Sequence, residues 1–232
     1  MNQAPSSTAG LHGTQPPSDW VKRWSHLIKP GGCVLDVACG YGRHARWFYE
    51  RNHTLALVDW AQAAIDFIAT TIPLDSASGN LAAASDIENG PWPFAGRLFD
   101  AVVVTHYLWR PLMPTLLASL APGGVLIYET FAQGNETVGK PSRPDFLLRR
   151  AELLELCQGL RIVAFEDGFM ADTASDATQA STKPVTHPKM TIKTKAEAET
   201  SARFVQRIVA VLEALPPLEA GAAPLAVRYR LA

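Results

Sequence analysis

The run Val34 to Gly42, VLDVACGYG, passes from a continuous apolar stretch into two glycines separated by one residue. A short apolar run bounded by glycines suits a strand buried on both faces, and only a sheet covered on both sides supplies that position. At the end of such a strand, glycine permits positive φ. It also lets a ligand approach the backbone where a β-carbon would clash, while the free N–H groups of the following helix face that ligand. Gly40 and Gly42 therefore describe a strand-turn-helix able to hold a ligand. Taken alone, the pair fits a plain tight turn or a dinucleotide loop equally well.

The surrounding chain repeats the same alternation. Ser18 or Asp19 caps a predicted helix to about Ile28, with Trp20, Trp24 and Leu27 recurring on one face. After the first strand come a helix near 43–50, a strand at 53–59, a helix near 61–70 and a strand at 81–84. A strand at 99–105, a helix at 112–120, a strand at 124–131 and a helix near 150–158 follow. Two further strands, 160–170 and one within 204–215, read as a long hairpin. Strand and helix in turn predict a three-layer α/β sandwich around a mostly parallel sheet. With 232 residues and 47% apolar side chains, the chain is expected to form one domain over 18–232. Residues 1–17, rich in Pro, Ser, Gly and Gln, read as a loose arm, and the polar stretch 172–202 as an insertion that is either a long loop or a mobile flap.

Three acids give the glycine turn a meaning. Asp59 closes the second strand, where a carboxylate accepts hydrogen bonds from both ribose hydroxyls of a nucleoside. Asp86 follows the third strand and can receive an adenine amino group, with Trp60 and Ile87 as apolar walls. Asp36 lies within the first strand, where a buried ionisable group calls for a cationic or amino-bearing partner. Singly, each reads equally as a solvated or capping carboxylate.

Together, VLDVACGYGRHA, VDW, ASDIENGPWPF and FDAVVVTHYLWRPL resemble successive motifs of the class I S-adenosylmethionine-dependent methyltransferases. The resemblance implies that Ala38, Gly40 and Gly42 form the cofactor turn, Asp59 binds ribose, Asp86 and Ile87 bind adenine, and Asp36 lies near the methionine end. It also implies a seven-stranded Rossmann-like sheet with an antiparallel last strand. Trp60 and Thr105 are counted with the cofactor residues. Ala38 stands where many members have Gly. The wording of 134–148, GNETVGKPSRPDFLL, resembles the small-molecule branch of the tellurite-resistance type.

On the acceptor side, methyl transfer requires alignment of the nucleophile, and a base only where that nucleophile must lose a proton. His106 is a candidate for such a base, or for a structural or substrate-orienting histidine, and Tyr107 can orient a ligand or cover the pocket. The polar loop 129–150 adds Phe131, Asn135, Glu136, Lys140 and Arg143 as candidate substrate residues. The rival is an NAD(P)-dependent Rossmann oxidoreductase, which lacks a Tyr-x-x-x-Lys here; a non-catalytic cofactor-binding scaffold is the other alternative.

The net charge of −1 lacks the cationic excess of a nucleic-acid binder, and no Asn-Pro-Pro-Tyr, Asp-Pro-Pro-Tyr or Pro-Cys element of nucleobase methyltransferases occurs. The three cysteines form no CxxC pair, so neither zinc nor a disulfide is expected, and no metal is required. The first residues carry no charged, apolar leader pattern, and no apolar run reaches the roughly eighteen residues of a membrane span. The expectation is a cytoplasmic enzyme that methylates a small molecule and engages neither nucleic acid nor membrane. No motif fixes its oligomeric state.

Overall fold

The computed structural model describes residues 15–171, 202–214 and 229–231. Residues 1–14 of the arm expected at 1–17, and 172–201 of the insertion expected at 172–202, lie outside the described residues. In chain order the elements are α1 (Asp19–Trp24), β1 (Cys33–Val37), α2 (Arg43–Tyr49), β2 (Thr54–Asp59), α3 (Gln62–Ala69), β3 (Leu81–Ala84) and β4 (Phe99–Thr105). After them come α4 (Met113–Ala118), β5 (Leu120–Phe131), α5 (Glu152–Leu156), β6 (Arg161–Met170) and β7 (Arg203–Val211).

The seven strands form one sheet in the order β3-β2-β1-β4-β5-β7-β6. Strands β1 to β5 pair in parallel, whereas β7 runs antiparallel to both β5 and β6. The apolar continuity of FVQRIVAV puts β7 in the interior of the sheet, and the Glu166-Asp167-Gly168 run leaves β6 at its edge. The predicted hairpin is thus a real pairing, and its second strand lies inside the sheet.

A buried cluster covers each face. On one, Trp20, Trp24, Ala45, Phe48, Ile65 and Ile68 from α1, α2 and α3 pack on Val34, Leu55, Leu57 and Val103. On the other, Met113, Leu116 and Leu153 from α4 and α5 pack on Leu35, Val58, Val102 and Leu126. The apolar positions of the central strands therefore point alternately to two covered faces, which explains their unbroken hydrophobic runs.

Several boundaries differ from the sequence reading, among them the last strand, which runs over Arg203–Val211, and the helix expected at 112–120, which is Met113–Ala118. The first helix ends at Trp24 and tightens into a 3-10 turn over Ser25–Leu27. Strand β5 begins at Leu120, four residues before Gly124, because the Ala121–Gly124 turn stays within the sheet: Gly123 N–H donates to Leu212 O and Leu212 N–H to Gly124 O. The glycines fit the contact, since a β-carbon at Gly124 would lie 2.7 Å from Ala121 O.

Candidate active site

The carboxyl ends of β1, β2, β3 and β4 enclose a cleft of about 720 Å³, within the range of ligand pockets. It is lined by Ala38, Gly40, Asp59, Trp60, Asp86, Ile87, Thr105, His106 and Tyr107 from the sequence reading. Parallel strands with β1 beside both β2 and β4 bring these distant segments to one edge.

The turn after β1 is built on left-handed backbone at Ala38 (φ 52°), Gly40 (φ 52°) and Gly42 (φ 79°). Ala38 accepts this conformation despite its β-carbon, a strain of about 1–2 kcal/mol. His106, at the end of neighbouring β4, has φ 55°, so two strained non-glycine residues face the same cleft. Gly42 does not line the cleft; it packs the turn on α3, where an added β-carbon would meet Ile68 Cγ1 at 2.7 Å. Gly42→Ala combines that clash with positive φ. It should destabilise the protein by about 2 kcal/mol in a denaturant melt, and a change below about 0.5 kcal/mol would show that the turn relaxes freely.

Asp59 ties two of these elements together. One carboxylate oxygen accepts from Gly40 N–H at 2.8 Å and the other from Ala61 N–H at 2.9 Å. Each oxygen has a second lone pair, so the group retains acceptor capacity toward the cleft. Trp60 beside it is 83% exposed, a large apolar surface that only a ligand or partner would cover. Asp86 closes its own turn, accepting from the N–H groups of Glu88 (3.0 Å) and Asn89 (3.1 Å) and from Asn89 Nδ2 (3.0 Å). These bonds hold its carboxyl below the usual range.

Asp36 is buried beneath the cleft, does not line it, and has one carboxylate oxygen without a hydrogen-bond partner. Burial pushes its pKa up to about 7 against the opposing charge of Arg43, with Asp59 adding to the rise.

Beside β4 the cleft is cationic and aromatic. Arg43 Nη2 donates to His106 Nδ1 at 3.4 Å, and the His106 ring lies 5.0 Å from Phe131. With Nδ1 accepting from a guanidinium, a neutral His106 carries its proton on Nε2. The Tyr107 hydroxyl is buried without a hydrogen-bond partner, and burial, then the charges of Glu88 and Asp86, raise its pKa.

The structure adds residues that sequence reading had not placed here. Gln15, Tyr41, Arg43, His44, Glu88 and Asn89 also line the cleft. His44 is buried, accepting from Ser18 N–H at Nε2 (3.1 Å) and lying 3.5 Å from Thr105 Oγ1 through Nδ1. Burial, then the neighbouring Arg43 and His106, lowers its pKa to about 3, so the ring is neutral with Nδ1–H directed at Thr105. Ser18 Oγ donates to buried Glu129 (2.9 Å), whose other oxygen accepts from Arg207 (3.1 Å). The segment before α1 is in this way fastened to the rim of the cleft. Arg43 and His44 had a signal, since both directly follow the glycine turn.

Of the loop candidates, only Phe131 reaches the cleft side, through His106. Asn135 is buried and spends its amide on Pro141 O (3.0 Å) and Phe204 N–H (3.2 Å). Glu136 accepts from Gly134 N–H, Arg143 pairs with Asp145, and Lys140 is exposed. None of Asn135, Glu136, Lys140 and Arg143 lines the cleft. Among the described residues, no group of three or more His, Cys, Asp or Glu side chains could hold a metal ion. No described helix is long and apolar enough to cross a membrane.

Comparison with known proteins agrees with this architecture. Residues 34–124 match the model of a family described as a methyltransferase domain. No curated protein sequence matches the chain. Among solved structures, TehB from Haemophilus influenzae superposes with a TM-score of 0.61 at 16% identity, over 85% of this chain and 63% of that one. The chain thus spans less than two thirds of TehB. A TehB-like SAM-dependent methyltransferase from Corynebacterium glutamicum gives 0.53 at 14% identity, over 86% and 90%. An S-adenosylmethionine-dependent methyltransferase from Mesorhizobium loti gives 0.54 at 15% identity, over 82% and 97%. The sheet order, the glycine turn and the matched segment that begins with β1 converge: residues 34–124 resemble a methyltransferase domain, and the chain has the fold of the TehB-like structures.

Proposed function

We propose that the protein transfers the methyl group of S-adenosylmethionine to a small-molecule acceptor. The observation that carries this reading is Asp59, a carboxylate at the end of β2 that is hydrogen-bonded to the turn after β1 and keeps acceptor capacity toward the cleft. In this reading Asp59 takes the ribose diol, and Trp60 and Ile87 flank an adenine whose amino group meets Asp86. The turn Ala38–Gly42 and Thr105 border the methionine tail, and Asp36 answers its ammonium group from below. His106, Tyr107 and Phe131 form the acceptor side. Glu136, Lys140 and Arg143 belong to the loop beside it, where an acceptor larger than the cleft would reach them, and buried Asn135 holds that loop in place.

The bound cofactor supplies an electrophilic methyl carbon. The chain contributes orientation and exclusion of water. Because His106 Nδ1 accepts from Arg43, His106 serves here to orient neighbours, and proton removal at that nitrogen would require Arg43 to leave it.

Calorimetry with S-adenosylmethionine, S-adenosylhomocysteine and NAD tests the reading, together with product analysis over small thiols, phenols, amines and oxyanions. Both sulfur compounds are expected to bind and NAD not to; binding of NAD alone would overturn the proposal, and binding without turnover across the panel would favour a scaffold.

Asp36 provides a separate check. A folded pKa raised from 3.8 to about 7 means the empty protein loses stability as pH rises through that interval. An ammonium group bound above Asp36 should return it to the ionised form. At about pH 6, S-adenosylhomocysteine binding should therefore release close to one proton. Titrations in buffers of different ionisation enthalpy would measure it, and Asp36→Asn should abolish it. Equal release by wild type and Asp36→Asn would refute the assignment.

A further inference from the structure

We infer that His44 is a positioning residue: it fixes the Thr105 hydroxyl as a hydrogen-bond donor toward the cleft, where that donor meets the carboxylate of the cofactor's methionine tail. This rests on the methyltransferase reading and deepens it at the tail end of the site.

The polarity is set by a backbone group that can only donate. Ser18 is the N-cap of α1, so its own N–H has no partner within the helix, and it donates to His44 Nε2 at 3.1 Å. An accepting Nε2 carries no proton, and a neutral imidazole then holds its proton on Nδ1. His44 is 2% exposed, so water does not compete for either nitrogen. Burial, then the neighbouring Arg43 and His106, keeps the ring neutral. His44 Nδ1 faces Thr105 Oγ1 at 3.5 Å, and among the described residues neither atom has another hydrogen-bond partner. The contact is long, but its direction is fixed: Thr105 could donate only to a lone pair on Nδ1, and the proton occupies that place.

With its oxygen accepting from His44, Thr105 has its hydroxyl proton left for the cleft that it lines. Thr105 directly follows Val104, the register partner of Val37 in β1, and so stands beside the turn that begins at Ala38. That is the place given above to the methionine tail. A carboxylate there accepts from the hydroxyl, whereas an ammonium would face another donor. Buried Asp36 suits the ammonium, so one donor and one acceptor tell the two ends of the amino-acid group apart.

The device is rigid because Ser18 is held on several sides. Its hydroxyl accepts from Trp20 N–H (3.1 Å) and donates to Glu129 Oε1 (2.9 Å), and Glu129 stands opposite Thr105 in the β4–β5 register. Ser18 thus reaches both members of one register pair, Glu129 directly and Thr105 through His44. The Thr105 hydroxyl is oriented before any ligand arrives, which lowers the cost of binding one.

Two measurements test this, the first without any ligand. In the ligand-free protein, imidazole nitrogen shifts read by NMR at neutral pH should show His44 uncharged and protonated on Nδ1. A dominant Nε2–H form or an imidazolium would overturn the inference. Calorimetry then compares S-adenosylhomocysteine with its decarboxylated analogue, which keeps the amine and lacks only the carboxylate. Thr105→Val should lose about tenfold or more in affinity for the first and less than about twofold for the second. His44→Gln keeps an acceptor for Ser18 N–H but no donor at the Nδ1 position, and should lose about fivefold toward S-adenosylhomocysteine alone. His44→Asn places an amide N–H near that position and should recover part of the loss. A loss equal for both ligands, or no loss in Thr105→Val, would overturn the inference, as would His44→Asn binding no better than His44→Gln. If the His44 variants do not fold, the NMR result and the Thr105→Val comparison decide. Should wild type bind neither S-adenosylmethionine nor S-adenosylhomocysteine, the methyltransferase reading falls and takes this inference with it; binding without the carboxylate contrast overturns the inference alone.

Discussion

Asp59→Ala should bind S-adenosylhomocysteine about 100-fold more weakly than wild type while remaining folded. Hydrogen bonds to a charged group contribute about 1.5–3 kcal/mol each, and two ribose hydroxyls would lose their acceptor together. The substitution also leaves Gly40 N–H and Ala61 N–H without the carboxylate that now accepts from them at 2.8 and 2.9 Å. That internal loss should lower stability by about 1–2 kcal/mol, which a thermal melt would separate from the binding effect. Calorimetry is the direct check. A folded Asp59→Ala protein with wild-type affinity would remove Asp59 from the cofactor site and with it the main support for the proposed arrangement.

A second large effect is expected far from the cofactor. Glu152 opens α5 with a fully buried carboxylate that accepts from Arg110 Nε (2.6 Å) and Nη2 (3.0 Å) and from Arg149 N–H (2.7 Å). Arg110 in turn donates to Asp145 O and Leu147 O, so this one ion pair fastens the chain after β4 to the loop after β5. Burial alone would raise the carboxyl pKa; the Arg110 hydrogen bonds and those of Arg149 outweigh it and hold the group at about 2. Glu152→Ala strands Arg110, and because that guanidinium keeps partial contact with water the expected cost is about 2–3 kcal/mol, less than for a fully enclosed pair. The thermal midpoint should fall by about 5–10 °C.

The sign of the pH effect follows from the same shift. A folded pKa below the unfolded value of 4.5 stabilises the protein above that value, and the contribution is lost as pH falls toward about 2. The stability gap between wild type and Glu152→Gln should therefore narrow across that interval in denaturant melts. A gap independent of pH would mean that Glu152 acts through packing and not through its charge.

Much of the fold was legible because each central strand has an unbroken apolar run closed by glycine or a polar residue. The intervals 81–84 and 99–105 match β3 and β4 as predicted. The cap of α1 was legible as well: Ser18 Oγ accepts from Trp20 N–H at 3.1 Å. What sequence could not show is that the same hydroxyl donates to Glu129, a residue 111 positions away. The candidate site divides along the same line. Asp59, Asp86 and His106 stand at strand ends, where period and topology determine position, and all three line the cleft. Asn135 lies in a loop whose path depends on Phe204 of β7, a partner 69 residues later, and its polar side chain turned out to be a fastening within the protein. His44 directly follows the glycine turn; its burial follows from the segment before α1 folding back over it, a non-local event no local pattern announces.

The position of β7 has a consequence for how the protein is made. The strand that completes the sheet between β5 and β6 is the last of the seven in sequence. Until residues 203–211 have left the ribosome, the inner edge of β5 is unpaired, and Glu129 lacks Arg207, its cationic partner across that edge. A nascent chain halted before Arg203 should therefore expose a sticky sheet edge and a buried acid without its counter-charge, so synthesis passes through a stage that favours chaperone capture over release.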